Sequence, residues 1–176
     1  SVIAGCPAAA PVVVTKFKLD ASALANADLA QAAAIEQLTM SLRQLGIPRV
    51  PVCLFHMDRT MAPTAWQPVL HRVFAALKRA GLIAFAGVSI EHPDAVSTFA
   101  DDPVLEVFQV PLNVMDLRLW KSGGLERLYR NGKFVFARSI YLQGLFFMEP
   151  DTLEGNLAQG RPFLRQLREL AAAEGL

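Results

Sequence analysis

Val50-Pro51-Val52-Cys53-Leu54-Phe55-His56-Met57-Asp58 is the stretch that decides how this chain is read. Its middle is a continuous apolar run without helical period. Such a run fits a strand buried on both faces, as in parallel sheets. The run stops at His56, and a polar loop follows. In parallel α/β folds the chemistry collects where strands end and loops begin. His56 therefore occupies the place of an active-site residue, and the question becomes whether other strands end the same way.

Four further segments do. Pro11 to Lys16 is a short β-branched strand ending in lysine. Leu82 to Ser89 ends in a small hydroxyl. Val104 to Val110 ends near Gln109, and Lys133 to Arg138 ends in a guanidinium with Ser139 behind it. Helical segments lie between them. The first runs from about Ala23 to Leu45, with Ile35, Leu38, Leu42 and Leu45 along one face, and stops at Gly46 and Pro48. A second carries Trp66, Val69, Leu70, Val73, Phe74 and Leu77 to Gly81, with Thr64 and Gln67 spaced as a capping box. A short helix follows Pro93, another spans Leu125 to Tyr129 before the Asn131-Gly132 turn, and a last one covers Arg161 to Glu174 with Leu164, Leu167 and Leu170 inward.

Five repeats of strand then helix make an α/β fold with a parallel sheet and right-handed crossovers. The expected architecture is a partial (β/α)8 TIM-type barrel of about five strands with flanking helices, as one domain over residues 1–176. Lys16, His56, Ser89, Gln109 and Arg138 then fall on one rim. That arrangement reads either as a functional rim or as ordinary solvated strand ends.

Composition narrows the function. Apolar residues make up 53% of the 176 and charged residues 19%, which is globular rather than disordered. A formal charge of +1, with no basic run, argues for neither nucleic acid nor an anionic membrane as partner. No apolar run reaches bilayer length. Cys6 and Cys53 make no disulfide framework, so the expected setting is reduced and cytoplasmic. Ile3-Ala4-Gly5-Cys6 matches a lipidation box in four residues only and reads as chance. His71 and His92 read as surface or capping residues, and three scattered histidines form no metal site. Gly123-Gly124 reads as a bend, not a phosphate loop. Tyr129 reads as packing on an outer helix, and Phe146-Phe147-Met148 as a substrate-pocket wall or, more simply, as plain packing. Ser41 and Ser139 lack a nearby base, so a nucleophilic hydrolase finds no support.

In order and spacing the chain resembles an aldo-keto reductase. The carriers are Val13-Val14-Thr15-Lys16, Ser41-Leu42-Arg43-Gln44-Leu45-Gly46, Leu54-Phe55-His56, Gly87-Val88-Ser89, Gln109-Val110-Pro111-Leu112-Asn113, and Arg138-Ser139 through Leu142-Gln143-Gly144-Leu145. They are similar to barrel strands three to seven of that family. The resemblance implies reduction of an aldehyde or ketone with NADP or NAD as cofactor. It gives Lys16 and His56 catalytic roles. It places Ser89, Gln109, Arg138 and Ser139 at the cofactor, and it implies a small carbonyl substrate. In the family a tyrosine donates the proton, a lysine and its paired aspartate tune it, and a histidine orients the carbonyl.

The departures are specific. No Tyr, Asp or Glu precedes Lys16. Ile90 stands where the family usually has Asn, and Arg138 where an aromatic ring often stacks on the nicotinamide. Counterparts of strands one, two and eight are missing, and with them the adenosine-phosphate site. The chain alone is therefore expected to be weak or inactive as a reductase, since losing the general acid costs about two to four orders of magnitude. An open five-stranded sheet leaves two edges and an apolar face to cover. A homo-oligomer through those edges or that face is expected. The alternative is a non-catalytic scaffold or interaction protein derived from a reductase barrel.

Overall fold

The computed structural model describes residues 12–57 and 66–175. Cys6 and the Ile3–Cys6 stretch, the Pro11 start of the first expected strand, most of the Met57–Pro63 loop and the Thr64 end of the expected capping box lie outside them. The described chain divides into two compact units, one ending at Arg138 and one beginning at Ser139.

The first unit holds five strands, β1 (Val14–Phe17), β2 (Val50–His56), β3 (Ile83–Ser89), β4 (Val107–Pro111) and β5 (Phe134–Arg138). They form one all-parallel sheet in sequential order, β1 and β5 at its edges. The intervening helices are α1 (Ala21–Leu24), α2 (Ala27–Leu45), α3 (Gln67–Arg79), α4 (Asp94–Phe99), α5 (Arg118–Lys121) and α6 (Gly124–Arg130). This is the alternating strand–helix order of a partial TIM-type barrel.

The single helix expected from Ala23 to Leu45 is broken. Asp20 Oδ1 caps α1 by accepting from Ala23 N at 2.8 Å. Asn26 then adopts an extended backbone, φ −133°, and its side chain accepts from Asp28 N and Leu29 N. A short amide side chain that satisfies orphan N–H groups starts a new helix at the expense of continuing the old one. A further short helix, α5, forms in a stretch to which the sequence reading assigned no element.

The helices α2, α3 and α6 end in the same way before β2, β3 and β5. Gly46, Gly81 and Gly132 take positive φ of 70°, 69° and 66°. Around each, the glycine N–H and the next N–H turn back onto the last helical turn. Ile47 N reaches Leu42 O, Leu82 N reaches Leu77 O, and Lys133 N reaches Leu128 O. This is the Schellman arrangement, which only a residue without Cβ enters cheaply.

Side chains alternate across the sheet, so each strand serves two faces. Phe17, Cys53, Phe55, Ala86, Val88, Phe108 and Val110 are buried together with Ala30, Ala34 and Leu38 of α2, Leu70, Val73, Phe74 and Leu77 of α3, and Phe99 of α4. Trp66 stacks between Phe55 and Phe99 at 5.0 and 5.4 Å. Each such large side chain contributes about 1.5–3 kcal/mol on burial, so this helix-covered face dominates the stability. Burial pushes the Cys53 thiol up to about 12, so it acts as a small apolar filler.

A polar anchor ties α3 to the approach of β4. The Asp102 side chain is fully buried and takes hydrogen bonds from Gln67 Nε2, His71 Nε2 at 2.7 Å, Val104 N and Leu105 N. Burial works to raise its carboxyl, but the bonds from Gln67, His71 and Val104 outweigh it and hold it below the usual carboxylate range. His71, expected as a surface or capping residue, is thus a partner of a buried carboxylate.

The opposite face carries a small cluster of Val52, Leu54 and Val107, with Val14 against it. Phe85, Phe134 and Phe136 remain 38%, 59% and 38% exposed. Here β3 and β4 approach closely. A Cβ on Gly87 would lie 2.0 Å from Val107 O and 2.7 Å from Leu54 Cδ2. Just before that contact the Glu106 carboxylate accepts Ala86 N at 3.0 Å and Lys78 Nζ at 2.6 Å.

The second unit is built from 3-10 turns between Leu142 and Gly160, followed by α7 (Arg161–Ala173). Pro150, Leu153 and Leu164 are its buried apolar residues. Arg161 Nε donates to Leu153 O, and Arg168 pairs with Glu149 at 2.7 Å. Of the three leucines expected inward, Leu170 is 59% exposed. Phe147, expected to pack, is 71% exposed, and within this unit its ring meets that of Tyr141.

Gly87→Ala should lower stability by about 1–3 kcal/mol, the cost of overpacking. At a permissive site the same change would stabilise, by about 0.4–1 kcal/mol. The urea midpoint reads the sign, and an unchanged or raised midpoint would contradict the close approach of β3 and β4.

Candidate functional site

Strand alternation builds the site. On the lightly covered face, His56 follows Leu54, Ser89 follows Gly87, Gln109 follows Val107 and Arg138 follows Phe136. The ladder pairs His56 with Ser89 and Ser89 with Gln109. Three polar side chains therefore stand abreast at the carboxyl ends of β2, β3 and β4. Arg138 lies two residues beyond the Gln109 row, paired with Pro111. Lys16 sits one row lower, paired with Leu54.

Gln109 gathers them. Its Oε1 accepts from Lys16 Nζ at 3.1 Å and from Ser89 Oγ at 3.0 Å. Lys16 and Gln109 are three strand spacings apart, about 14 Å across a flat sheet. Direct contact between them requires the sheet to curl toward this face, as barrel strands do. Ser89 is fully buried, Gln109 and His56 half-buried, and Lys16 exposed. The lysine's partner is a neutral amide oxygen.

His56 has no hydrogen-bond partner among the described residues, and its Nδ1 is buried. Its pKa lies below the ordinary imidazole value. Burial is the first cause and the Lys16 charge the second; Glu91 opposes them, and Lys18 and Arg138 add to them. The ring is therefore neutral at pH 7, able to donate from one nitrogen.

Arg138 Nη2 donates to Ile90 O at 3.2 Å and lies 3.9 Å from Glu91 Oε1. Its Nε is buried without a partner among the described residues. Glu91 is the residue that sequence reading passed over. It lies two residues past the end of β3, which is the signal that marks it. Ile90, where the resembled family usually has Asn, is fully buried in the helix-covered core. Asn113 is occupied locally, its Oδ1 accepting Met115 N and Asp116 N.

Five of the six expected site residues thus share one face of the first unit. Ser139 falls in the second unit, at φ 59°. Tyr129, expected to pack, is 83% exposed on α6. No tyrosine stands on the rim among the described residues of the first unit. Among the described residues no three His, Cys, Asp or Glu side chains converge as a metal site would require, and no helix is long and apolar enough to cross a membrane.

No protein-family model matches the chain, and no curated protein does. Solved structures do. A thermostable aldo-keto reductase in complex with the inhibitor epalrestat matches 93% of this chain and 52% of its own, at 23% identity and a TM-score of 0.56. An aldo-keto reductase from Bacillus halodurans, in its apo form, matches 77% and 42%, at 19% identity and a TM-score of 0.56. The glycerol dehydrogenase of Gluconobacter oxydans matches 72% and 38%, at 22% identity and a TM-score of 0.54. The chain has the fold of the aldo-keto reductases over about half their length or less.

Titrating the His56 ring by NMR should give a midpoint below 6.5, and Lys16→Met should move it upward. Because the folded pKa lies below the unfolded one, the unfolded state takes up the proton first. Stability is therefore lost as pH falls through about 6.5 and levels off below the folded midpoint. A wild-type midpoint at or above 6.5 would contradict the burial and the positive field.

Proposed function

We propose that the concave rim of the first unit is the nicotinamide end of an NAD(P)H-dependent carbonyl reductase site. The observation that carries this reading is the Gln109 oxygen joining Lys16 and Ser89 beside a neutral, unpartnered His56. The groups suit the cofactor's carboxamide. Gln109 Oε1 is used within the protein, and its Nε2 donates to no described residue, so an amide donor is left for a carbonyl oxygen. When bound, a reduced nicotinamide supplies hydride.

The protein's own groups would do the rest. His56 donates a hydrogen bond to the substrate carbonyl and fixes its orientation. The Lys16 ammonium lies on the same face and stabilises negative charge developing on that oxygen. Ser89 holds the Gln109 amide in register. The half-buried setting strengthens each of these interactions relative to water. With no rim tyrosine among the described residues of the first unit, residues 1–176 alone should reduce carbonyls about two to four orders of magnitude more slowly than a site with a positioned acid. The substrate is a small aldehyde or ketone, and the setting cytoplasmic, where reduced nicotinamide cofactors are supplied.

A second reading rests on the exposed Phe85, Phe134 and Phe136 and on the two edge strands. It makes this face an association surface taken by another copy of the chain, because contiguous apolar area of that kind is uncommon on a lone soluble domain.

Isothermal titration of residues 1–176 with NADPH should show micromolar binding, weakened about tenfold by Gln109→Leu, the loss expected for one or two hydrogen bonds. Absence of heat up to millimolar NADPH would remove the reductase reading. Light scattering at high concentration should give at least a dimer mass, whereas a monodisperse monomer would remove the association surface.

A further inference from the structure

We propose that the cleft between α2 and α3 binds a phosphate group, held by Arg72 and Arg79. The cleft lies in the helix layer, and its chemistry does not rest on the reading of the concave rim.

The sequence of α3 builds one wall. His71, Ala75 and Arg79 recur at i, i+4 and i+8, so they follow one line along the helix, and Arg72 stands on the neighbouring ridge. Leu70, Val73, Phe74 and Leu77 take the other side of α3 into the core. Gln31 of α2 supplies the rest of the lining. Ala75 is the small residue in the line, and the hollow beside it measures about 340 Å³. One water occupies about 30 Å³, and small-ligand sites begin at about 300 Å³.

The lining is rich in donors. Among the described residues that form it, none is acidic. Each guanidinium is a fork of N–H donors with no acceptor, and Gln31 adds an amide. Arg79 has no hydrogen bond or ion pair to a described residue. Arg72 uses Nη2 alone, on Asp28 Oδ1 at 2.9 Å, in a pair that is 61% and 84% exposed. A pair so open to water binds its members weakly, so the guanidinium stays available. Both arginines are exposed, and His71 and Gln31 half-buried, so a ligand meets them from solvent.

His71 gives the cleft a fixed element. Its Nε2 lies 2.7 Å from the fully buried Asp102 carboxylate, which holds the imidazole in the wall. Two guanidinium forks beside a hollow with a fixed wall fit a ligand that accepts on every side. A phosphate dianion does so, whereas a carboxylate presents one edge and fills one fork.

The test titrates residues 1–176 with inorganic phosphate, glycerol 3-phosphate and acetate in a phosphate-free buffer at constant ionic strength. Backbone amide shifts of Gln31 and His71 are the readout. Both phosphates should give saturable shifts with dissociation constants of about 1 mM or tighter, and acetate about tenfold weaker or none. Tighter binding of glycerol 3-phosphate than of inorganic phosphate assigns the site to a phosphorylated small molecule. Equal binding assigns it to phosphate itself.

Arg79→Gln should weaken phosphate about tenfold, the scale of one charge-assisted hydrogen bond. Ala75→Leu keeps every charge and fills the hollow, and it should abolish saturable binding. Both changes place good helix formers on the outer side of α3, so the fold is kept. Gln109→Leu, on the concave rim, should leave phosphate binding unchanged.

Shifts that stay linear up to about 50 mM phosphate, far above millimolar affinity, would overturn the proposal. Unchanged binding in Ala75→Leu would do the same, because it would reduce the effect to diffuse attraction by the arginines. So would unchanged binding in Arg79→Gln, equal binding of acetate, or loss of binding in Gln109→Leu, which would move the phosphate to the rim.

Discussion

The close approach of β3 and β4 at Gly87 is the constraint on which the concave face depends. A Cβ there would sit 2.0 Å from the Val107 carbonyl, well inside any tolerable contact. Because glycine has none, the two strands draw together, and Leu54 fills the remaining space. Two residues further along, the same ladder brings Ser89 beside Gln109. The Gln109 oxygen then stands where Lys16 reaches it from the far edge of the sheet. The Glu106 carboxylate supports the approach by taking the Ala86 N–H directly before it.

The two faces of the sheet divide stability from chemistry. The helix-covered face buries most of the large side chains and, through Asp102, fixes α3 to the start of β4. The concave face gives up apolar burial at its carboxyl end for a row of polar groups. Its electrostatics follow from that exchange. Partial burial and neighbouring cations keep His56 neutral, so the imidazole is a hydrogen-bond donor and not another positive charge. Arg138 and Lys16 supply the positive potential instead.

Much of this was legible in the residues. Continuous apolar runs without helical period marked strands, a period of 3.6 marked helices, and glycines marked the ends of α2 and α3 and the turn after α6. Where the reading failed, a local interaction had won over periodicity. Asn26 caps a new helix inside a run whose apolar pattern is continuous. The expected inward leucines of α7 include Leu170, which is exposed, because a stripe names a face without naming what covers it. His71 looked like a surface residue because its partner, Asp102, lies 31 residues away. Glu91 went unremarked because its relation to Arg138 spans two strand–helix units.

By itself the sequence determined the alternation of strands and helices, the parallel sheet that alternation demands, and the polar residue at the end of each strand. These follow from local periodicity and from the steric rules of crossover connections. Only the tertiary structure decided which of those residues meet. Strand register set His56, Ser89 and Gln109 abreast, and the curl of the sheet closed the 93-residue gap between Lys16 and Gln109. Register and curvature arise from the packing of whole strands on one another, at Gly87 above all, and no single segment carries that information.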